Sequence, residues 1–186
     1  MRQLQMKTIM RGTLVASVLW LFGGQAASAQ DVDGCKFAWD VAHELTVLKE
    51  APQAVTAGAR SGADSPVLKI DKPYQLKLVA QNSVTYAVKP AKPTLNDSVQ
   101  GGLVRFKVDK AGLYRVSITS GHWIDVVDGT DVVKSKDFTG SRSCDRVHKI
   151  VEFDLPAGHD LVLQFSGSTD AQVLMAITPV TGAPSH

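Results

Sequence analysis

The chain has 186 residues, 44% of them hydrophobic and 20% charged, with 20 Lys and Arg against 18 Asp and Glu. That is enough length and apolar content for a real core. Acids and bases are interspersed without the basic stripe or stacked aromatic platform that nucleic acid requires, so nucleic acid is excluded as a partner.

The first predicted element is a leader. Arg2, Lys7 and Arg11 make a positive start, residues 13–22 form an apolar run, and Ala27-Ser28-Ala29 supplies small residues for cleavage. The apolar run is about half of the ~20 residues needed to span a bilayer, which favours a cleaved signal over a retained anchor. Cys35 lies far beyond the apolar run, the wrong context for a lipidated cysteine. A signal peptide of residues 1–29 implies a periplasmic or secreted protein with no transmembrane segment after cleavage. Cleavage removes three basic side chains and no acidic ones, so the formal charge of +2 becomes −1. The remaining cysteines are Cys35 and Cys144. In an oxidising compartment an isolated pair reads as one disulfide; the competing readings are two free buried thiols or a metal pair, and no C-x-x-C spacing supports redox or zinc chemistry.

Residues 37–50 carry Phe37, Val41, Leu45 and Leu48 at intervals of four, four and three, the apolar face of a helix. Pro52 stops it, and residues 51–65 read as a loop with at most a short edge strand near Val55. Residues 30–65 thus form a helix and loop belonging to the same domain as the strands beyond residue 66.

From residue 66 the period changes to two. Val104, Phe106 and Val108 alternate with Arg105 and Lys107, then Tyr114, Val116 and Ile118 alternate with Arg115, Ser117 and Thr119. The predicted core also takes Phe153, Leu163 and Phe165. Similar runs fall at 67–70, 74–80, 84–88, 123–127, 131–134, 147–155, 161–166 and 172–178. Asp128-Gly129 marks a tight hairpin, because glycine tolerates the positive φ of that turn. Leu155-Pro156-Ala157-Gly158 ends a strand where proline cannot continue the ladder. Residues 135–146 are predicted to be a long loop pinned by Cys144. The implied fold class is mainly β: an antiparallel, jelly-roll-like β-sandwich over residues 66–180 with one short N-terminal helix.

The order of Ala111-Gly112-Leu113-Tyr114-Arg115-Val116, a central hairpin, and Phe153-Asp154-Leu155-Pro156-Ala157-Gly158 leading to Leu161-Val162-Leu163-Gln164-Phe165-Ser166-Gly167 resembles pre-peptidase C-terminal-like and related carbohydrate-binding sandwiches over about residues 100–178. The sequence also resembles a group of short exported proteobacterial proteins, some of which carry the label homogentisate 1,2-dioxygenase. That resemblance implies a non-haem iron site, which needs two histidines and a carboxylate on one metal. The histidines beyond the leader are His43, His122, His148, His159 and His186. On one strand, His148 and Glu152 lie about 13 Å apart at ~3.3 Å per residue, too far to share an ion. No H-x-H pair exists, and surface histidines are the simpler expectation.

Asp125, Asp128 and Asp131 surround Gly129 but lack the alternating spacing and closing Glu of an EF-hand, and a hairpin turn accounts for them. No G-x-S-x-G elbow is present. The remaining candidates are ligand-binding: His122, Trp123, Asp125 and His148. A Trp with polar neighbours is how sandwiches stack sugars, while burial is the commoner fate of that residue. Trp39 is expected to pack the helix onto the sheet. The expectation is an exported non-catalytic protein without a cofactor, binding a small molecule, glycan or protein. A metal-dependent oxygenase and an envelope structural or inhibitory protein are the alternatives.

Overall fold

The computed structural model describes residues 30–32, 35–91, 98–140, 144 and 146–180. Two short strands come first, β1 (Gln30–Val32) and β2 (Cys35–Phe37), paired as an antiparallel hairpin. The helix α1 (Ala42–Lys49) follows. The strands after it are β3 (Gln53–Thr56), β4 (Val67–Leu68), β5 (Tyr74–Lys77), β6 (Val79–Ala80), β7 (Gln100–Phe106), β8 (Gly112–Ile118), β9 (Trp123–Asp128), β10 (Asp131–Val133), β11 (Ser135–Gly140), β12 (Lys149–Leu155), β13 (Leu161–Ser168) and β14 (Gln172–Pro179).

They build two sheets packed face to face. The first has the order β11-β12-β8-β14-β5-β3; the second runs β10-β9-β13-β7-β4, with β6 also on β7. Eight strands make the frame, β5-β14-β8-β12 against β7-β13-β9-β10, all antiparallel within each sheet. In both, a late strand inserts between earlier ones: β14 between β5 and β8, β13 between β7 and β9. That interleaving is the double Greek key of a jelly roll. The expectation of a purely antiparallel sandwich needs correction at two places. β3 pairs parallel with β5, and β4 pairs parallel with β7, so both sheets are mixed.

Alternation explains the core. Val104 and Phe106 of β7, Val116 and Ile118 of β8, Phe153 of β12, and Leu163 and Phe165 of β13 all point between the sheets, none more than 2% exposed. Turns are placed as their chemistry demands. Gly129 adopts φ +61 in the two-residue connection between β9 and β10, and Gly158 adopts φ +76 while its N–H bonds the Val108 carbonyl.

Three local expectations fail for physical reasons. The helix begins at Ala42, not at residue 37. Phe37 instead ends β2, yet it reaches the same apolar cluster as Val41, Leu45, Leu48, Cys35 and Cys144. Its spacing matches a helix because strand and helix cover one patch. Residues 135–140, expected as loop, form the edge strand β11; its polar sequence carries no alternation because only Thr139 is buried there. Residues 84–88, expected as strand, make only an isolated bridge from Thr85 to Arg60.

A fourth correction matters most. The alternation puts Arg115 and Ser117 on a solvent face, but α1 and the β2 segment cover the outer face of the first sheet. Arg115 is 8% exposed there. Its Nε donates to Glu152 Oε1 at 2.9 Å, and its Nη1 donates to Glu44 Oε1 at 3.3 Å and to the Asp40 carbonyl at 2.6 Å. Thr178 Oγ1 donates to Glu44 Oε1, and the Trp39 ring stacks 4.9 Å from the guanidinium carbon. Trp39 therefore packs against the sheet as expected, though from the segment before the helix.

The Cys35–Cys144 disulfide is present, with Cα atoms 5.1 Å apart and 109 residues separating them. Closing so long a loop removes unfolded-state entropy equivalent to about 4–5 kcal/mol in the chain-entropy model. It also ties β2 to the segment preceding β12.

Side-by-side substitutions on one strand end test the alternation. Phe106→Ala should lower unfolding free energy by about 3–5 kcal/mol, as for a large ring lost from a closed core. Lys107→Ala, which loses only an exposed 3.2 Å ion pair with Asp160, should change it by no more than about 1 kcal/mol. Urea denaturation of both variants decides, and comparable losses would refute the assignment of faces.

Candidate functional site

The strand ends at Gln100, Ile118, Trp123, Lys149, Ser168 and Gln172 meet at one end of the sandwich, as the registers Ser168 to Gln100, Ser166 to Trp123 and Lys149 to Ile118 require. All four candidate residues, His122, Trp123, Asp125 and His148, lie at or near this end. They do not form one site.

His122 is fully buried, contrary to the expectation of surface histidines. It shares the inward parity of Ile124, and its ring meets Phe165 edge-on at a centroid distance of 6.2 Å. Its Nδ1 lies 2.8 Å from Ser120 Oγ, while Nε2 is buried without a hydrogen-bond partner among the described residues. Burial drives its pKa down to about 4, with Lys149 pushing the same way and Asp170 and the Gln100 backbone opposing. It is a neutral core side chain. His148 is half-buried just ahead of β12, its backbone N–H bonded to the Ile118 carbonyl. The surface expectation holds for His43 and His159, each exposed and bonded to an aspartate, Asp71 and Asp128 respectively. His186 lies outside the described residues.

Trp123 and Asp125 point the other way, onto the outer face of the second sheet. Trp123 is half-buried, and its Nε1–H donates to Asp125 Oδ1 at 2.8 Å. The Lys149 ammonium lies 5.8 Å from the centroid of the indole. The indole is thus fixed in orientation by one hydrogen bond and by a cation at its face. Burial raises the pKa of Asp125, opposed by the Trp123 bond, the Ala91 backbone and Lys149.

Beside this pair runs the segment 81–91, laid across the same face. Gln164, buried mid-strand in β13, bonds Val88 twice: its Oε1 accepts from the Val88 N–H and its Nε2 donates to the Val88 carbonyl, each at 3.1 Å. Tyr86 Oη donates to the Phe165 carbonyl at 2.8 Å, and Gln81 Oε1 accepts from the Gly167 N–H. Burial and the neighbouring Asp125 push the Tyr86 hydroxyl above its ordinary range. Gly101 is required here, since a Cβ at that position would collide with Tyr86 Oη and the Phe165 carbonyl. Sequence reasoning passes over Tyr86, Gln164 and Lys149. A signal exists for Gln164, a polar residue in the middle of the apolar run Leu161-Val162-Leu163-Gln164-Phe165.

The metal hypotheses find no geometry. Glu152 is committed to Arg115 beneath the helix, on the opposite outer face from Asp125, and Asp128 is bonded to His159. Among the described residues no three His, Cys, Asp or Glu side chains come together as a metal-binding group. Among them also, no helix is long and apolar enough to cross a membrane. No protein-family model and no curated protein matches this sequence.

His122 gives the site a measurable pH signature. Its folded pKa lies near 4, below the ~6.5 of an exposed imidazole, so the unfolded protein binds the proton more readily between those values. Stability should fall as pH drops from about 6.5 towards 4, by up to about 3 kcal/mol from this residue. Asp125 acts in the opposite sense, because its raised pKa favours the folded state on protonation. Urea midpoints at neutral pH and near pH 4.5 should differ less in His122→Phe than in the parent. An unchanged difference would show that His122 does not titrate as a buried group.

Proposed function

We propose that this is an exported, non-catalytic binding protein that takes a glycan or a similar small polar molecule on the indole face of Trp123. The observation carrying this reading is the half-buried Trp123, its N–H tied to Asp125 and its ring beside Lys149, at an end of the sandwich where several loops meet. An aromatic face held rigid loses little entropy on stacking against a sugar ring, and the polar side chains around it offer hydrogen bonds to hydroxyls. Three buried polar residues, Asp125, Gln164 and Ser166, share that sheet face. Burying them costs folding free energy that an apolar face would avoid, a pattern found at functional sites.

Export to the periplasm or beyond is supported by the basic start, the apolar run and the Ala27-Ser28-Ala29 site. A long-range disulfide is at home in such an oxidising compartment. The oxygenase alternative lacks any convergent ligand set among the described residues.

A second reading has its own observation. Phe138 on the edge strand β11 is 71% exposed and Val132 on β10 is 50% exposed, along the same lateral edge of the sandwich. These residues favour a protein partner. The edge is also blunted against unspecific pairing: the ladder shifts between Ser135 and Asp137, Lys136 is exposed, and Asp137 Oδ1 accepts the Phe138 N–H.

A glycan screen of the oxidised protein without residues 1–29, followed by calorimetry on the hits, separates the two. Trp123→Ala should weaken a glycan about tenfold or more, roughly 1.4 kcal/mol or above, whereas Phe138→Ser leaves it unchanged. Equal affinity in Trp123→Ala, or no glycan hit beside a partner lost in Phe138→Ser, would replace the first reading with the second.

A further inference from the structure

We propose that two copies of this chain associate by pairing their β3 strands antiparallel, which joins the two first sheets into one continuous sheet. β3 ends the first sheet, and among the described residues no strand lies beyond it. Its inner side is fixed by the parallel ladder with β5, in which Gln53 N–H bonds the Pro73 carbonyl and Ala57 N–H bonds the Lys77 carbonyl. Alternate residues of a strand turn their main-chain groups to the same neighbour. Gln53, Val55 and Ala57 therefore face β5, and the N–H and C=O of Ala54 and Thr56 face outward. Gln53, Ala54 and Thr56 are all exposed.

Such an open row of donors and acceptors is a template for another strand, and edge strands ordinarily carry a device against it. β11 has its ladder shift, Lys136, and the Asp137 side chain on the Phe138 N–H. β10 begins on Asp131, and β4 has only two residues. β3, Gln53-Ala54-Val55-Thr56, contains neither charge nor bulge nor proline.

Symmetry names the occupant. Pro52 has no N–H to give, and Gly58 is bonded both ways to Leu103, so the outward groups on offer are those of Ala54 and Thr56. A two-fold axis through Val55 sets Ala54 of one copy against Thr56 of the other, twice over. Each of those pairs exchanges both main-chain hydrogen bonds, more than any other self-pairing of this edge allows. Val55, half-buried and packed against the core, then stands opposite its own counterpart and carries the apolar interior across the axis. Residues 51–59 hold no charged side chain, so the rotation brings no like charges together along the strand. Val67 of β4, 61% exposed, lies on this same lateral edge. A strand of 4 residues makes a small interface, so the dimer should dissociate in the micromolar range.

The test uses the full-length chain, expressed with its own leader and purified in oxidised form. Sedimentation velocity across the micromolar range should show a monomer–dimer equilibrium. Ala54→Pro removes an outward N–H and leaves the β5 ladder its donors, so it should raise the dissociation constant about tenfold or more while the melting temperature stays near the parent's. Val55→Cys should crosslink on oxidation into a dimer bonded at position 55, because a non-hydrogen-bonded pair holds its Cα atoms about 4.5 Å apart, within disulfide reach. It should do so much faster than Val132→Cys on the opposite edge. A monomer at every concentration, a dimer that Ala54→Pro leaves unchanged, or crosslinking at position 55 no faster than at position 132 overturns the inference.

Discussion

Arg115 is the point on which the arrangement of the first sheet turns. A guanidinium on a strand facing away from the core must either stay in water or be fully bonded, since an unpaired buried charge costs several kcal/mol. Here it is enclosed by Glu152 from the neighbouring strand, Glu44 from α1, the Asp40 carbonyl and the Trp39 ring. Its planar fork lets it donate in several directions at once, which an ammonium on a flexible stem would not match. Two carboxylates surround one cation, and Glu44 Oε2 and Ser117 Oγ are buried without partners among the described residues. Such a cluster adds little net stability over apolar packing, but it specifies one docking of α1.

That docking makes the two outer faces of the sandwich different. Ile150 and Ala176 lie on the outer face of the first sheet and pack with Val47, Leu48 and Phe37, so this sheet is covered on both sides. The disulfide ties the same layer to the segment before β12. The outer face of the second sheet is treated differently. Its cover is the segment 81–91, held by side-chain hydrogen bonds from Gln164 and Tyr86 rather than by a ladder or a packed helix. The half-buried indole of Trp123 lies on this second face. The first sheet supplies rigidity and the second supplies the polar, aromatic surface on which a ligand is proposed to rest.

What can be read from the sequence divides along the same line. The inward faces are legible because alternation has one cause there: Val104 and Phe106, or Val116 and Ile118, belong to one apolar cluster between the sheets. The tight β9–β10 turn is legible because Gly129 needs a positive φ. The outer faces are not. Arg115 and Glu152 look like solvent residues in any strand, and nothing local reveals that a helix from residues 42–49 will cover them. β11 escapes notice because Ser135-Lys136-Asp137-Phe138 is an exposed edge with no pattern to read. In the candidate site, Trp123 and Asp125 emerge together, and their i, i+2 spacing on a strand is why they touch. His122 differs from Trp123 by one residue and therefore faces the core. Tyr86, Gln164 and Lys149 arrive from three distant stretches, and only the fold gathers them.

If Arg115 and the disulfide make α1 part of the sandwich, the helix opens with the sheet it covers and never alone. Native-state hydrogen exchange of the oxidised protein measures this directly. The amides bonded within α1, such as Leu45 N–H to the Val41 carbonyl, should share the opening free energy of β8 and β12. They should lose that protection together on denaturant addition. Helix amides exchanging through a separate opening, several kcal/mol easier than that of β8, would show that the cap is only loosely laid on the sheet and would contradict the account.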